Sequence, residues 1–275
     1  LPGKHAIGHV RYGTAGGSVI ENAQPLLMSH RKGGVALAHN GNLVNANQLR
    51  TSLENEGAIF RSSADTEALL HLIARSRALD TEERLIEALK QAQGAYSMAV
   101  MDGQRLIAVR DPYGFRPLSL GRLPGGEPVI ASESCAFDIV GGQYQRDVVP
   151  GELIMIDEQG LHSTIVEAGG PPARCIFEFV YFARPDSIVF EENVDKVRRK
   201  LGKQLAREHP VEADFVIAVP DSSNSAALGY SLESLRDLEQ VPLTTVEARE
   251  GTFIQESLNI LFQVVQHGYR PKQRG

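Results

Sequence analysis

The run Gly169-Gly170-Pro171-Pro172 constrains this 275-residue chain more than any other feature, because it separates two stretches built on different patterns. Gly loosens the backbone and Pro-Pro stops both a helix and a central strand, so neither stretch continues through it. Before it, the sequence is dense in short β patterns broken by turn dipeptides. After it, a long amphipathic helical pattern accompanies continuous apolar runs. A chain of this length is expected to form two compact domains, and the pattern puts them at residues 1–168 and 173–275.

In the first stretch an apolar strand is expected from Val35 to Asn42, ending in an Asn-Gly turn. Ala95–Met101 and Arg105–Val109 are expected to form a hairpin about Asp102-Gly103. Three helices are predicted between them. Asn45 with Gln48 imitates a capping box ahead of Leu49 and Leu53. The second helix starts near Thr66 and carries Leu69, Leu70, Leu72 and Ile73, and the third runs from Thr81 through Leu85, Ile86, Leu89 and Ala92 to a stop at Gly94. Further strands are expected at Pro117–Leu120, Val129–Ser132 and Leu153–Ile156, with a brief helix near Cys135–Val140. Blocks of strands beside a block of helices predict an α+β unit of layered sheets and helices.

The second stretch predicts α/β. Val194, Val197, Leu201 and Leu205 recur at helical spacing, and Phe215-Val216-Ile217-Ala218-Val219 is an apolar run of the kind that fills a parallel sheet covered on both faces.

Charge and composition narrow the function classes. Twenty-eight Lys and Arg against 34 Asp and Glu give a net charge of −6, so no positive field draws the chain to nucleic acid or anionic lipid. No apolar run is long enough to span a bilayer, and Leu1-Pro2-Gly3-Lys4-His5 lacks the apolar stretch of a secretion signal, so no membrane partner and a cytoplasmic location are expected. Only Cys135 and Cys175 are present, which is neither a disulfide framework nor a paired zinc site, and two reduced buried thiols are expected. The chain starts without Met, in what reads as a strand, which predicts a fragment of something longer.

Three constellations could carry chemistry, and each also has a plain structural reading. His39-Asn40-Gly41-Asn42 is either a hairpin turn or an oxyanion site, in which the Asn40 amide and the Gly41 N–H point at an oxygen gaining charge during acyl transfer. Arg11, in Gly8-His9-Val10-Arg11-Tyr12-Gly13-Thr14, is either a surface ion-pair partner or a planar fork for an α-carboxylate. Asp65, in Ser62-Ser63-Ala64-Asp65-Thr66, is either a helix cap or the acceptor for a substrate ammonium. Together the Arg fork and the Asp acceptor would recognise the two charged ends of a free amino acid.

These motifs stand in an ordered series with Asn22–Leu27, with Arg110-Asp111-Pro112-Tyr113-Gly114-Phe115-Arg116-Pro117-Leu118 and with Ala131-Ser132-Glu133-Ser134-Cys135-Ala136-Phe137-Asp138. The series resembles the glutamine-hydrolysing half of the glutamine phosphoribosylpyrophosphate amidotransferases. Phe182-Ala183-Arg184-Pro185-Asp186-Ser187 and Val219-Pro220-Asp221-Ser222-Ser223 resemble the start of that family's phosphoribosyltransferase half. The resemblance implies an N-terminal-nucleophile-type glutaminase fold, layered αββα, followed by the start of an α/β phosphoribosyltransferase domain. It implies ammonia transfer from glutamine to phosphoribosyl pyrophosphate, giving 5-phosphoribosylamine for purine synthesis. By position, Arg11, Thr14, His39 and Asp65 fall in the glutamine pocket, Asn40 and Gly41 in the oxyanion hole, and Ser222 near a magnesium and phosphate site. Cys175 matches a cysteine that ligates an iron–sulfur cluster in one branch of the family. A cluster needs about four cysteines, so Cys175 is expected here as a lone buried thiol. Mg2+, inhibition by purine nucleotides and a homo-oligomer are likewise implied by the family.

The sequence departs from the family pattern at both ends. The family attacks glutamine with an amino-terminal Cys whose own α-amine is the base, whereas Leu1 matches a point well inside the glutaminase domain, so this chain by itself is expected to be inactive. No Asp-Asp pair occurs for a ribose-phosphate signature, and Thr244-Thr245 is no substitute. The match weakens after Tyr230, returns at Gly251–Gln255 and has no counterpart over Glu256–Gly275, where Ser257–Val265 would form an apolar helical patch. Two other functions fit the same residues: a related glutaminase with another acceptor, and a catalytically silent protein that binds glutamine or nucleotide.

Overall fold

A computed structural model describes residues 5–10, 19–31, 33–103, 105–167, 169–234 and 237–239. The chain divides into two compact units, Leu1–Cys175 and Ile176–Gly275. The division falls after the Pro171-Pro172 step.

In the first unit six antiparallel strands form one sheet in the order β1-β2-β3-β4-β8-β9. These are β1 (Leu26–His30), β2 (Gly33–Leu43), β3 (Gly94–Asp102), β4 (Arg105–Arg110), β8 (Glu152–Asp157) and β9 (Gly160–Ile165). A second sheet of β5 (Ser119–Arg122), β6 (Pro128–Ala131) and β7 (Gln143–Asp147) is ordered β6-β5-β7. The helices are α1 (Ala46–Asn55), α2 (Thr66–Arg75), α3 (Thr81–Leu89) and α4 (Cys135–Ile139).

Side-chain alternation explains the layering. Leu37, Val100 and Ile107 are register partners across β2, β3 and β4 and are buried in one core with Leu69, Leu70, Ile73, Leu85 and Leu89 of α2 and α3. One residue along, the row Ala38, Ala99, Ala108 and Ile154 turns to the opposite face. There Ala108 and Ile154 share a second core with Leu118, Leu120 and Val148. The central strands are thus covered on both faces and read as near-continuous apolar runs, and alanines on the inner face let the second sheet approach. Phe137 of α4 is fully buried against Gly121 of β5, where an added Cβ would lie 3.0 Å from the ring. The layers follow as α, β, β, α.

The Asp102-Gly103 hairpin, the three helices and the brief helix at Cys135 form where the pattern puts them. Several details differ. The Asn40-Gly41 pair is not a turn: β2 runs straight through it, paired Asn40↔Ser97 and Gly41↔Tyr96 with β3. Asn45 makes no capping bond. Its side chain instead accepts from Gln93 N–H (3.0 Å) and donates to Gln91 O (2.8 Å), satisfying the loop after α3. Residues 5–10 form no strand; Gly8 weakens one, and Val10 is 98% exposed with no strand to pair with among the described residues. Strands β7 and β9 carry little apolar signal, and β1, though it begins Leu26-Leu27-Met28, is too short a run to stand out.

In the second unit β10 (Ile188–Val189) and β11 (Glu192–Asn193) form a hairpin, and β12 (Phe215–Ile217) pairs in parallel with β13 (Asp237–Glu239). Helix α5 (Val194–Glu208) is capped by Asn193, which accepts from Lys196 N–H at 3.0 Å. It crosses α6 (Asn224–Ser234) closely, because a Cβ at Gly202 would strike the Ala226 carbonyl and one at Gly229 the Arg199 carbonyl. Thr244-Thr245, Gly251–Gln255 and the Ser257–Val265 patch lie outside the described residues.

Phe137→Ala is expected to cost about 3–5 kcal/mol, the range for emptying a fully buried aromatic site. Urea unfolding followed by circular dichroism measures it. A loss under about 1 kcal/mol would mean that α4 does not cover the second sheet as described.

Candidate functional site

The site is built on the edge of β2. In an antiparallel ladder, N–H groups of alternate residues point to opposite sides of the strand. Val44 N–H donates to Gln93 O at 2.8 Å toward β3, so the odd-numbered residues before it turn to the other edge. Strand β1 covers that edge only as far as Leu37, paired with Leu26. Beyond Leu37 the N–H groups of His39, Gly41 and Leu43 need other partners.

Two of them find side chains. His39 N–H donates to Gln24 Oε1 at 2.7 Å, and Leu43 N–H donates to Asp65 Oδ2 at 2.9 Å. Gly41 N–H, between them, has no side-chain partner among the described residues. Across the ladder, Asp111 N–H donates to Tyr96 O at 2.8 Å and Tyr96 N–H donates to Asp111 Oδ2 at 3.3 Å, so Tyr96 turns its backbone groups away from Gly41. Gly41 itself has φ +156°, and a Cβ there would run into the Ala95 carbonyl and the His39 ring. Glycine is needed here for close approach of two strands.

His39 lies beneath Gly41 and is almost fully buried. Its Nε2 faces Ala95 O at 3.3 Å, a group that only accepts, so Nε2 carries a proton. Nδ1 then faces Thr66 Oγ1 at 3.2 Å and Asp65 Oδ1 at 3.6 Å. Asp65 is thus more than a helix cap. It accepts from Thr66 N–H at 2.8 Å to open α2, and from Leu43 N–H to fix the end of β2. Burial alone would raise its pKa, but hydrogen bonding and charge from His39 and the two backbone N–H groups outweigh that and hold the carboxyl below its ordinary range. Glu67, two residues on, behaves alike: burial raises its pKa, but Ser62 Oγ–H and the N–H groups of Arg61 and Ser62 outweigh that and leave it lowered.

Asn22 and Gln24 tie the preceding segment to the same place. Ser63 N–H donates to Asn22 Oδ1 at 2.9 Å, and Gln24 Nε2 donates to Thr66 Oγ1 at 3.3 Å. In the sequence both residues stand within the motif Asn22–Leu27, and their side-chain amides ahead of β1 are the only chemical signal they carry there.

Asn40 points to the inner face, in the register row Asn40, Ser97, Arg110 that continues the alanine row in polar form. Its Oδ1 accepts from Arg116 Nη2 at 2.9 Å. Arg110, 3% exposed, donates to Arg116 O (2.8 Å), Gly114 O (3.0 Å) and Val148 O (2.5 Å). Fully buried Asp111 accepts from Tyr113 and Phe115 N–H; burial raises its pKa despite those bonds. The segment from Arg110 to Pro117 is therefore pinned from both ends.

Arg11 and Thr14 lie outside the described residues. Ser222 belongs to the second unit, in the turn of residues 221–223 ahead of α6. Cys175 is half-exposed rather than buried, and it donates its N–H to Phe115 O at 3.1 Å. Cys135 is buried, and the two cysteines of this sequence are half the number a four-thiolate cluster takes. Among the described residues no three His, Cys, Asp or Glu side chains gather as a metal site, and no helix is long and apolar enough to cross a membrane.

A strand edge with one open glycine N–H, a flanking amide and a nearby carboxylate suits binding and polarising the amide of an amino acid. Residues 13–138 match the glutamine amidotransferase domain, and that is the class of the first unit. The chain is 51% identical to amidophosphoribosyltransferase 1, chloroplastic, of Arabidopsis thaliana over 85% of its length and 41% of the relative's. It is 50% identical to the amidophosphoribosyltransferase of Bacillus subtilis over 84% of its length and 48% of the relative's. The solved B. subtilis glutamine phosphoribosylpyrophosphate amidotransferase complexed with ADP and GMP superposes with a TM-score of 0.79 at 45% identity, over 84% of this chain and 50% of that one. A second solved structure, of an allosteric regulatory enzyme of purine biosynthesis, gives a TM-score of 0.80 at 45% identity, over 88% of this chain and 54% of that one. Over the aligned stretch the chain is similar to the amidophosphoribosyltransferases, and it spans about half the length of the relatives it matches.

Asp65 and Glu67 are lowered on folding, so their contribution to stability is present above the ordinary carboxylate range and is lost as pH falls through it and below. The expected outcome is an acid-side fall in the thermal midpoint that Glu67→Gln makes shallower. An unchanged acid slope in Glu67→Gln would show that the carboxylate does not hold the 61–62 loop.

Proposed function

We propose that the protein carrying this chain transfers ammonia from glutamine to phosphoribosyl pyrophosphate, giving 5-phosphoribosylamine for purine synthesis, and that the Gly41 edge of β2 is part of its glutamine pocket. The observation that carries the reading is the Gly41 N–H, open between two neighbours whose N–H groups are satisfied by side chains. Around it, Asn40 supplies a second donor and Asp65 a carboxylate held ionised. The names of the relatives support the acceptor.

In this reading the glutamine carbonyl oxygen faces Asn40 Nδ2 and Gly41 N–H, and its ammonium end faces Asp65. The resemblance assigns the carboxylate to Arg11 and adds Thr14 to the pocket. His39 acts from beneath, holding the ladder under Gly41. The attacking group is the amino-terminal Cys of the family, since Cys135 is buried with its Sγ facing Glu133 Oε2 at 3.8 Å. The thiolate bonds to the amide carbon and the carbonyl π pair moves onto oxygen, where the two donors stabilise it. Collapse expels ammonia, protonated from the Cys α-ammonium, and water cleaves the thioester to glutamate. Ammonia then displaces pyrophosphate at the ribose carbon.

For that second half, Ser222 and the adjacent Asp221 offer oxygen ligands of the kind Mg2+ accepts beside a phosphate. Bound Mg2+ would neutralise the pyrophosphate leaving group. Purine nucleotides as regulatory ligands are supported by the relative solved with ADP and GMP. A homo-oligomer and a cytoplasmic setting complete the proposal, the latter following the bacterial rather than the plant relatives.

In the full-length protein, Asn40→Ala is expected to lower glutamine turnover by about 10²–10³. Asp65→Asn should raise the glutamine KM by at least about tenfold, the cost of a lost charged hydrogen bond, while Glu67→Gln, on the same helix start but away from the pocket, leaves KM alone. Equal KM values in the Asp65 and Glu67 variants would remove the ammonium contact from the reading.

A further inference from the structure

Arg116 bears on which way the Asn40 amide faces, an orientation on which the proposed reaction depends. An amide end presents oxygen in one orientation and NH2 in the other, and only the NH2 can stabilise an oxyanion. A guanidinium has five donors and no acceptor. Arg116 Nη2 lies 2.9 Å from Asn40 Oδ1, so chemistry dictates that the oxygen is the atom on the arginine side. The flipped amide would set N–H against N–H. Nδ2 is thereby turned away from Arg116, and it has no hydrogen-bond partner among the described residues.

We infer that Arg116 is a positioning residue for ammonia release, holding the Asn40 amide in the one orientation that presents Nδ2 to the reacting oxygen. This rests on the oxyanion role proposed for Asn40. The arginine is itself held: its carbonyl accepts from Arg110 Nε at 2.8 Å and from Ser97 Oγ at 3.3 Å, and Ser97 is the register partner of Asn40 on β3. A closed circuit results, from β2 to the 110–117 segment, to β3 and back through the ladder to β2. The segment's Asp111 turn and buried Arg110 fix where the guanidinium starts from. Asn40 alone, half-exposed at the end of the inner-face row, makes no other side-chain hydrogen bond among the described residues to choose between its two faces.

The test is kinetic and uses the full-length enzyme. Arg116→Met keeps the length and apolar stem but removes every donor, and it is expected to lower glutaminase kcat about 10- to 100-fold with glutamine KM within about twofold. Arg116→Lys, which restores a donor to Oδ1, should recover most of that loss. Asn40→Ala combined with Arg116→Met should be no slower than Asn40→Ala alone, since the arginine acts only through the amide. The affinity for the γ-aldehyde analogue of glutamine, which becomes a tetrahedral hemithioacetal on the thiol, should fall with kcat while glutamine affinity does not. If Asn40→Ala leaves kcat unchanged, the oxyanion reading itself fails. If Asn40→Ala is slow but Arg116→Met matches the parent, or its loss adds in full to that of Asn40→Ala, the positioning role is overturned and the oxyanion reading stands. Should Arg116→Met not fold, Asn40→Asp decides: beside Arg116 it should keep the thermal midpoint of the parent while losing turnover as Asn40→Ala does, and a lowered midpoint would overturn the contact.

Discussion

Strand β1 stops covering β2 at Leu37, and the site follows from that shortfall. A strand edge left open inside a folded unit must satisfy its N–H groups with something other than backbone. Here the substitutes are side chains, Gln24 for His39 and Asp65 for Leu43. Each ties a different part of the chain to β2, the segment before β1 in one case and the start of α2 in the other. The N–H that neither reaches belongs to Gly41, where the approach of Ala95 excludes any side chain that could cover it. The same interactions that close the fold therefore define its one open donor among these three.

The inner face of the large sheet supplies the rest by a change of one register row. Ala38, Ala99 and Ala108 pack on the second sheet, whereas two residues further Asn40, Ser97 and Arg110 present polar groups in the same direction. A polar row at the end of an apolar core is costly unless every member is paired. Arg110 spreads its donors over three carbonyls, which immobilises the 114–116 backbone and brings Arg116 to Asn40. Burial of Arg110 thus serves the placement of a different arginine.

Strand and helix identities in the first unit were readable wherever burial imposed a period: α2 and α3 from their leucines, β3 and β4 from apolar runs about Asp102-Gly103. Edge strands escaped because β7 and β9 bury little and carry no apolar signal. The site was readable as residue types and not as geometry. Asn40-Gly41 has the composition of a turn, and nothing local reveals that β3 pairs through it, a contact with residues some fifty positions away. Asn45 shows the same limit, since its capping partner three residues on is outcompeted by loop groups at Gln91 and Gln93. Arg116 was visible only as a letter in a motif; its role depends on a distance across the fold.

The proposed oxyanion corner lies on a strand rather than a loop, and that has an energetic logic. Donors aimed at a developing charge help most when they need no reorganisation as the charge appears. Gly41 N–H is held by ladder bonds on either side, and the Asn40 amide, whose end torsion is otherwise broad and two-fold, is restricted by an arginine whose own backbone is pinned. The cost of that order is met once, during folding, by the two cores that clamp β2 between helices and sheet.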